Sequence, residues 1–155
     1  MRKIVTLIFA IFAALIIILV AFGSIILLDI VAYTATGAQT LTPTGSSVGK
    51  AIVIYDPGMS GRAKGVADKV AGDLQEKGYT VTLAGVKSST AGTTTGYKII
   101  VVGGPVYAGA LTSSTKDVLA NLVFDQGAKI GVYGSGQGAT SPQDIAQIKQ
   151  SITTR

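Results

Sequence analysis

The sequence predicts an α/β domain built on a parallel sheet and preceded by one membrane-crossing helix. Short, almost unbroken apolar runs recur at AIVIY (51–55), KIIVV (98–102) and KIGVY (129–133), as expected of central strands covered on both faces. Between these runs the apolar residues recur with the period of an amphipathic helix. Ahead of them all, IVTLIFAIFAALIIILVAFGSIILL (4–28) contains no charged residue.

That first stretch sets the domain organisation. Twenty-five helical residues span roughly 37 Å, enough to cross a hydrocarbon core of about 30 Å with some tilt. A cleaved signal peptide has an apolar region of only about 7–15 residues, and no A-x-A site closes this one. Arg2 and Lys3 precede the span and no basic residue follows until Lys50. The positive-inside bias therefore puts the N-terminus in the cytoplasm and the remainder on the outer face. The expected organisation is a transmembrane helix at 4–32, a Thr/Ser/Gly-rich tether at 33–49 and one small domain at 50–155. The tether, including TATGAQTLTPTGSSVG (34–49), carries no charge and reads as flexible.

Composition removes several kinds of chemistry. The chain has neither cysteine nor histidine, which excludes disulfides, thiol chemistry, the usual zinc sites and a Ser-His-Asp triad. No metal partner is expected. From residue 50 onward, eleven Lys or Arg stand against seven Asp or Glu. The bases are scattered and not interleaved with aromatic residues, so they read as a solvated surface and not as a nucleic-acid face.

Within the domain, AIVIY opens the sheet. From Gly61 a helix follows, with Ala63, Val66, Ala67, Val70, Ala71 and Leu74 on one stripe. Ser60 is its expected N-cap and Gly78 its C′ residue. YTVTLA (79–84) alternates, which suits a less covered edge strand. Residues 85–97 are too poor in apolar side chains for a full helix. KIIVV, a weaker helix near 112–124, KIGVY and a last helix at 141–152 complete the order. In that last helix Ser141 is the expected N-cap and Pro142 the first residue. Strand, helix, strand, strand, helix, strand, helix is an α/β layout, and ligands of such sheets sit beyond the carboxyl ends of the strands.

Three strands end in glycine-bearing loops: YDPGMSG (55–61), GGPVYAG (103–109) and GSGQGAT (134–140). The first leads into a helix, whose free N–H groups favour an anion. Asp56 and Pro57 oppose that use, one by its charge and the other by its missing N–H. An inward Asp56 would weaken phosphate binding, whereas an outward one would matter little; a turn residue is the expectation.

In these loops the domain resembles a short flavodoxin. Ser60-Gly61 after strand and tyrosine resembles the flavin-phosphate loop, VVGGPVYAG (101–109) the loop beside the flavin ring, and YGSGQG (133–138) the glycine-rich loop on its other side. The resemblance implies a three-layer parallel sheet of four strands, ordered 2-1-3-4 in chain order, with the fourth strand at an edge. It further implies FMN, electron transfer and a redox protein partner. Its cofactor-binding residues would be Gly58, Ser60, Gly61 and Arg62, then Gly104, Pro105, Tyr107 and Gly109, then Gly134, Ser135 and Gly136. The sequence departs from the family pattern in the single hydroxyl of its first loop, its basic balance and the lack of an aromatic residue at 134–141. Weak FMN binding is the expectation. A flavin-free domain that binds a partner or small ligand at the membrane is the alternative. Glycines at strand–helix turns also serve positive φ or close packing alone, and Tyr107 and Tyr133 also suit partly buried or core positions.

Other motifs fail on context. GSSVGK (45–50) precedes its strand and lacks the spacer and hydroxyl of a Walker loop, and GSGQGA (134–139) lacks the acidic residue about 20 positions on that a dinucleotide site needs. No Asp ends KIIVV as a receiver domain would require, and no nucleophile–base pair points to a hydrolase.

Overall fold

A computed structural model describes residues 2–31 and 35–136, together with Ala146. The expected last helix at 141–152 and the end of the third glycine loop lie outside the described residues, Ala146 apart.

The chain begins with α1 (Arg2–Val31), followed by β1 (Ala38–Leu41), β2 (Gly49–Tyr55) and α2 (Arg62–Glu76). Next come β3 (Tyr79–Gly85), a short 3₁₀ turn at Ser89–Gly92, β4 (Ile99–Tyr107), β5 (Ala110–Leu111), α3 (Ser113–Ala120) and β6 (Lys129–Ser135). Helix α1 is long and apolar enough to cross a membrane. Its stretch Ile8–Leu27 has a mean hydropathy of 3.0 and none of it is buried.

The fold is α/β with a mixed sheet of six strands. The expectation of a purely parallel, four-stranded sheet is therefore corrected. Parallel pairing joins β3 to β2, β2 to β4 and β4 to β6. Antiparallel β1 lies along β3, from Ala38 opposite Ala84 to Leu41 opposite Val81, so β3 is not an edge. The segment expected as a tether thus contributes a strand. Its entry depends on Gly85, whose N–H donates to the Gly37 carbonyl at 2.9 Å. A Cβ there would stand 2.6 Å from the Ala35 carbonyl oxygen.

The apolar runs do what their pattern predicts. Ala51, Ile52, Val53 and Ile54 of β2 are all buried, and their side chains alternate between two cores. On one face Ala67 and Ala71 of α2 pack over Ala51, Val53, Val81 and Leu83. Small residues at i and i+4 let the helix axis come close to the sheet. On the other face Ile52, Ile54, Ile100 and Val102 meet Ala91 of the 3₁₀ turn and Leu119 and Leu122 of the α3 region. Of the expected α2 stripe, Val66 turns outward. The outer side of α2 carries the i,i+4 pairs Lys64–Asp68 at 2.9 Å and Lys69–Asp73 at 3.0 Å. The hydrogen bond to Asp68 raises the pKa of Lys64 above its usual range.

Helix termini follow local chemistry with one correction. Gly61, not Ser60, is the N-cap of α2, at φ 69° and without a side-chain cap. That left-handed conformation suits glycine, and Ser60 Oγ instead accepts from Arg62 N–H at 3.4 Å. Gly78, at φ 88°, follows the C-cap and donates its N–H to the Gln75 carbonyl at 2.9 Å. Helix α3 is shorter than the expected 112–124, because Thr112 caps it and Asn121 closes it.

Tyr133 ties β6 to α2. Its hydroxyl donates to the Ala63 carbonyl at 2.9 Å, and its ring lies over Gly103, where a Cβ would stand 2.2 Å from Cδ1. Burial, followed by the charge of Asp56, raises its pKa well above the ordinary tyrosine value, so the hydroxyl stays protonated as a donor. Gly103→Ala is expected to destabilise the fold by about 1–3 kcal/mol through overpacking. Gly131→Ala serves as the control, since its Cβ would meet nothing closer than Val101 Cγ2 at 3.6 Å. Urea unfolding of both variants measures the difference, and equal midpoints would remove the ring contact as a constraint.

Candidate functional site

The carboxyl ends of β2, β4 and β6 converge on a cleft of about 440 Å³. It is lined by Met59, Ser60, Arg62, Pro105, Val106, Tyr107, Ala108, Ser135 and Gly136. The fold thus brings together six of the expected residues, namely Ser60, Arg62, Pro105, Tyr107, Ser135 and Gly136. The other five, all glycines, are placed behind or beside the cleft.

Asp56 forms the base of the first loop. Its N–H continues the β2–β4 ladder by donating to the Gly103 carbonyl at 2.9 Å, which turns the carboxylate inward. The residue is 0% exposed, so the expected turn role is only part of its work. Oδ1 accepts the Gly58 N–H at 3.0 Å, an Asx turn closing the loop on itself. Oδ2 accepts the Thr112 hydroxyl at 2.6 Å. Thr112 has one hydroxyl proton and gives it to Asp56, so Thr115 is the donor across the 2.9 Å contact between the two threonine hydroxyls. Thr112 Oγ1 also accepts the Thr115 N–H, capping α3. Gly104 leaves room for this cluster, since a Cβ there would stand 2.5 Å from Thr115 Oγ1 and 2.9 Å from Asp56 Cβ.

The rest of the loop is held from the β4 side. The Met59 N–H donates to the Tyr107 hydroxyl at 3.2 Å. At Gly58, φ 61°, a Cβ would lie 2.8 Å from Pro105 Cγ and 3.1 Å from the Tyr107 oxygen. The Gly61 N–H turns back to the Gly58 carbonyl at 3.4 Å. Tyr107 thus acts as a brace between loops. Beyond it the chain reverses through Ala108 (φ 49°) and Gly109 (φ 79°), and Tyr107 pairs with Ala110. Two consecutive positive φ values mark a two-residue primed hairpin turn, which accounts for Gly109. Gly134 sits within β6, opposite Gly104.

Sequence reasoning missed Asp56, Thr112 and Thr115 as one cluster, and Met59, Val106 and Ala108 as lining residues. Arg62 Nη atoms make no ion pair among the described residues and bring positive charge to the rim. The cleft therefore combines one exposed cation, two serine hydroxyls and an apolar wall.

Against this geometry the implied FMN meets an obstacle at its phosphate. A phosphate cradle needs free backbone N–H groups and hydroxyls. Here the N–H groups of Gly58, Met59, Gly61 and Arg62 already have partners within the loop or on Tyr107. A second anion beside the buried Asp56 carboxylate would be repelled by about 4 kcal/mol at 4 Å and an effective dielectric near 20. Those four donors are therefore committed elsewhere in this conformation. Comparison with known proteins adds no family: no protein-family model matches the chain, and a search of curated proteins finds no match.

The Asp56 cluster makes a direct prediction. Thr112→Val keeps the shape but removes the donor to Asp56 and the cap of α3, and is expected to cost about 1.5–3 kcal/mol, the range for hydrogen bonds to charged groups. Thr112→Ser is expected to recover most of that loss. Chemical denaturation of both variants reads the effect, and a Thr112→Val protein as stable as the parent would show that the bond contributes nothing.

Proposed function

We propose that the chain is a single-pass membrane protein whose flavodoxin-like domain binds a small ligand or partner in the cleft without using FMN. One observation carries this reading: the N–H groups of Gly58, Met59 and Gly61 are already used, on Asp56, Tyr107 and the Gly58 carbonyl. A ligand of this cleft meets Arg62, Ser60 and Ser135 at its polar side and Met59, Val106 and Pro105 at its apolar side. That set suits an uncharged or singly anionic molecule with an apolar body, but not a dianionic phosphate ester.

FMN-dependent electron transfer with a redox protein partner is the second reading. It is favoured by the position of the cleft at the strand carboxyl ends and by Tyr107 in its wall. Titration of the purified chain with FMN and with riboflavin separates the two readings. The flavin-free reading expects FMN to bind no tighter than riboflavin, and neither below about 100 µM. FMN at least about tenfold tighter than riboflavin, equivalent to about 1.4 kcal/mol held by the phosphate, would overturn it.

The domain is proposed to lie on the outer face, because Arg2 and Lys3 precede the apolar helix and no base follows before Lys50. Protease added to intact cells is expected to remove the domain while cytosolic controls survive. Cleavage only after lysis would place it inside.

A further inference from the structure

The two ends of the sheet differ in how far they can lie from the apolar helix. Val31 is the last residue of α1. The carbonyl of Ala35, four residues on, accepts the Lys87 N–H at 2.9 Å, just beyond the carboxyl end of β3. Four peptide steps reach at most about 15 Å. Helices α1 and α3 also come within 8 Å of each other, Cα to Cα. Along residues 8–27 of α1 only Ile26 is half-buried, so this approach is made near the helix C-terminus. Helix α3 starts at that same end of the sheet, where Thr112 reaches Asp56. Two separate observations therefore seat the carboxyl end of the sheet beside the end of α1.

Lengths determine which end can meet lipid. With Ile8–Leu27 across a bilayer, the four remaining residues of α1 rise about 6 Å, and the link to Ala35 adds at most about 15 Å. The head-group layer takes up about 5–8 Å of that reach. Strands β2, β3 and β6 are each seven residues long, about 20 Å from end to end. For the amino end to touch lipid, the link would have to cover both the head-group layer and a full strand, which exceeds its reach. Exposed apolar side chains do not distinguish the ends: Val48, Val123 and Phe124 lie at the amino end and Met59 at the carboxyl end.

We propose that the carboxyl end of the sheet docks on the lipid head-group layer through which α1 emerges, so that the cleft opens onto that layer. Met59, 46% exposed at the cleft mouth, is the apolar side chain that enters it. The inference rests on the single-pass reading of α1 and deepens it by fixing which face of the domain meets the membrane.

The chain contains no cysteine, so a single introduced cysteine can be labelled without background. Met59→Cys and Val123→Cys, at opposite ends of the sheet, are each given a small fluorophore in the full chain. The labelled chains are reconstituted into phosphatidylcholine nanodiscs that carry a nitroxide on the lipid head group. Residue 59 is expected to be quenched at least about twofold more than residue 123, which stands about 20 Å farther out. A Gly/Ser insertion of about ten residues between Val31 and Ala35, worth about 16–19 Å of flexible reach, is expected to remove that difference. Equal or reversed quenching in the chain without the insertion overturns the inference, as does a difference that survives the insertion. Shielding of residue 59 from aqueous iodide without quenching by lipid also overturns it, and shows a second copy on that end instead. A chain that stays out of the nanodiscs overturns the single-pass reading and the inference with it, which keeps the two failures apart.

Discussion

The Asp56 carboxylate, buried where β2 ends, constrains everything at that end of the sheet. A carboxylate taken out of water must be hydrogen-bonded to persist, and its partners include one near and one distant group. Gly58 answers from two residues on, and Thr112 from across the sheet at the start of α3. Meeting these demands fixes the loop conformation, the start of α3 and the need for glycine at 104, where any side chain would strike Asp56 or Thr115. Loop, helix cap and strand β4 therefore form one unit, and none can shift without exposing or stranding the charge.

That unit decides what the cleft offers a ligand. A loop gripping an anion aims its N–H groups outward, whereas this one spends those of Gly58 and Met59 on a fixed internal anion and on Tyr107. The carboxylate in effect stands where an external anion would otherwise draw the loop together. What remains for a ligand is side-chain chemistry at the rim, above all Arg62, whose guanidinium can bind one carboxylate or carbonyl group but does not replace a cradle of backbone donors. An aromatic residue at position 107 is compatible with either proposed function, since it lines the cleft while its hydroxyl accepts the Met59 N–H.

The parts of the fold legible in the sequence are those with a dense apolar signal. AIVIY was readable because both of its faces are buried, KIIVV and the half-buried KIGVY because apolar residues run almost unbroken through them, and α2 because Ala63, Ala67 and Ala71 recur at helical spacing. Strand β1 was not readable: AQTL stays largely exposed and is held by backbone pairing to β3, so no hydrophobic period marks it. Glycine positions were visible in the motifs, but their reasons were not. Gly104 is there for Thr115 and Asp56, Gly58 for Pro105 and Tyr107, and Gly103 for Tyr133, contacts that exist only once the sheet has formed. The inward turn of Asp56 was undecidable locally because Thr112, its second partner, lies 56 residues away.

Strand β1 also changes how α1 is joined to the sheet. A free tether over 33–49 would let the domain roam up to several tens of ångströms from α1, at about 3.3–3.6 Å per extended residue. Instead, Ala35 already accepts the Lys87 N–H and Gly37 the Gly85 N–H, only four residues past Val31 in the case of Ala35. The chain can bridge that gap with at most about 15 Å. Because β1 runs antiparallel to β3, with Ala38 opposite Ala84, the chain from α1 joins the sheet at the carboxyl end of its parallel strands. The cleft lies at that same end. A short covalent link thus ties the cleft end of the sheet to the end of the apolar helix.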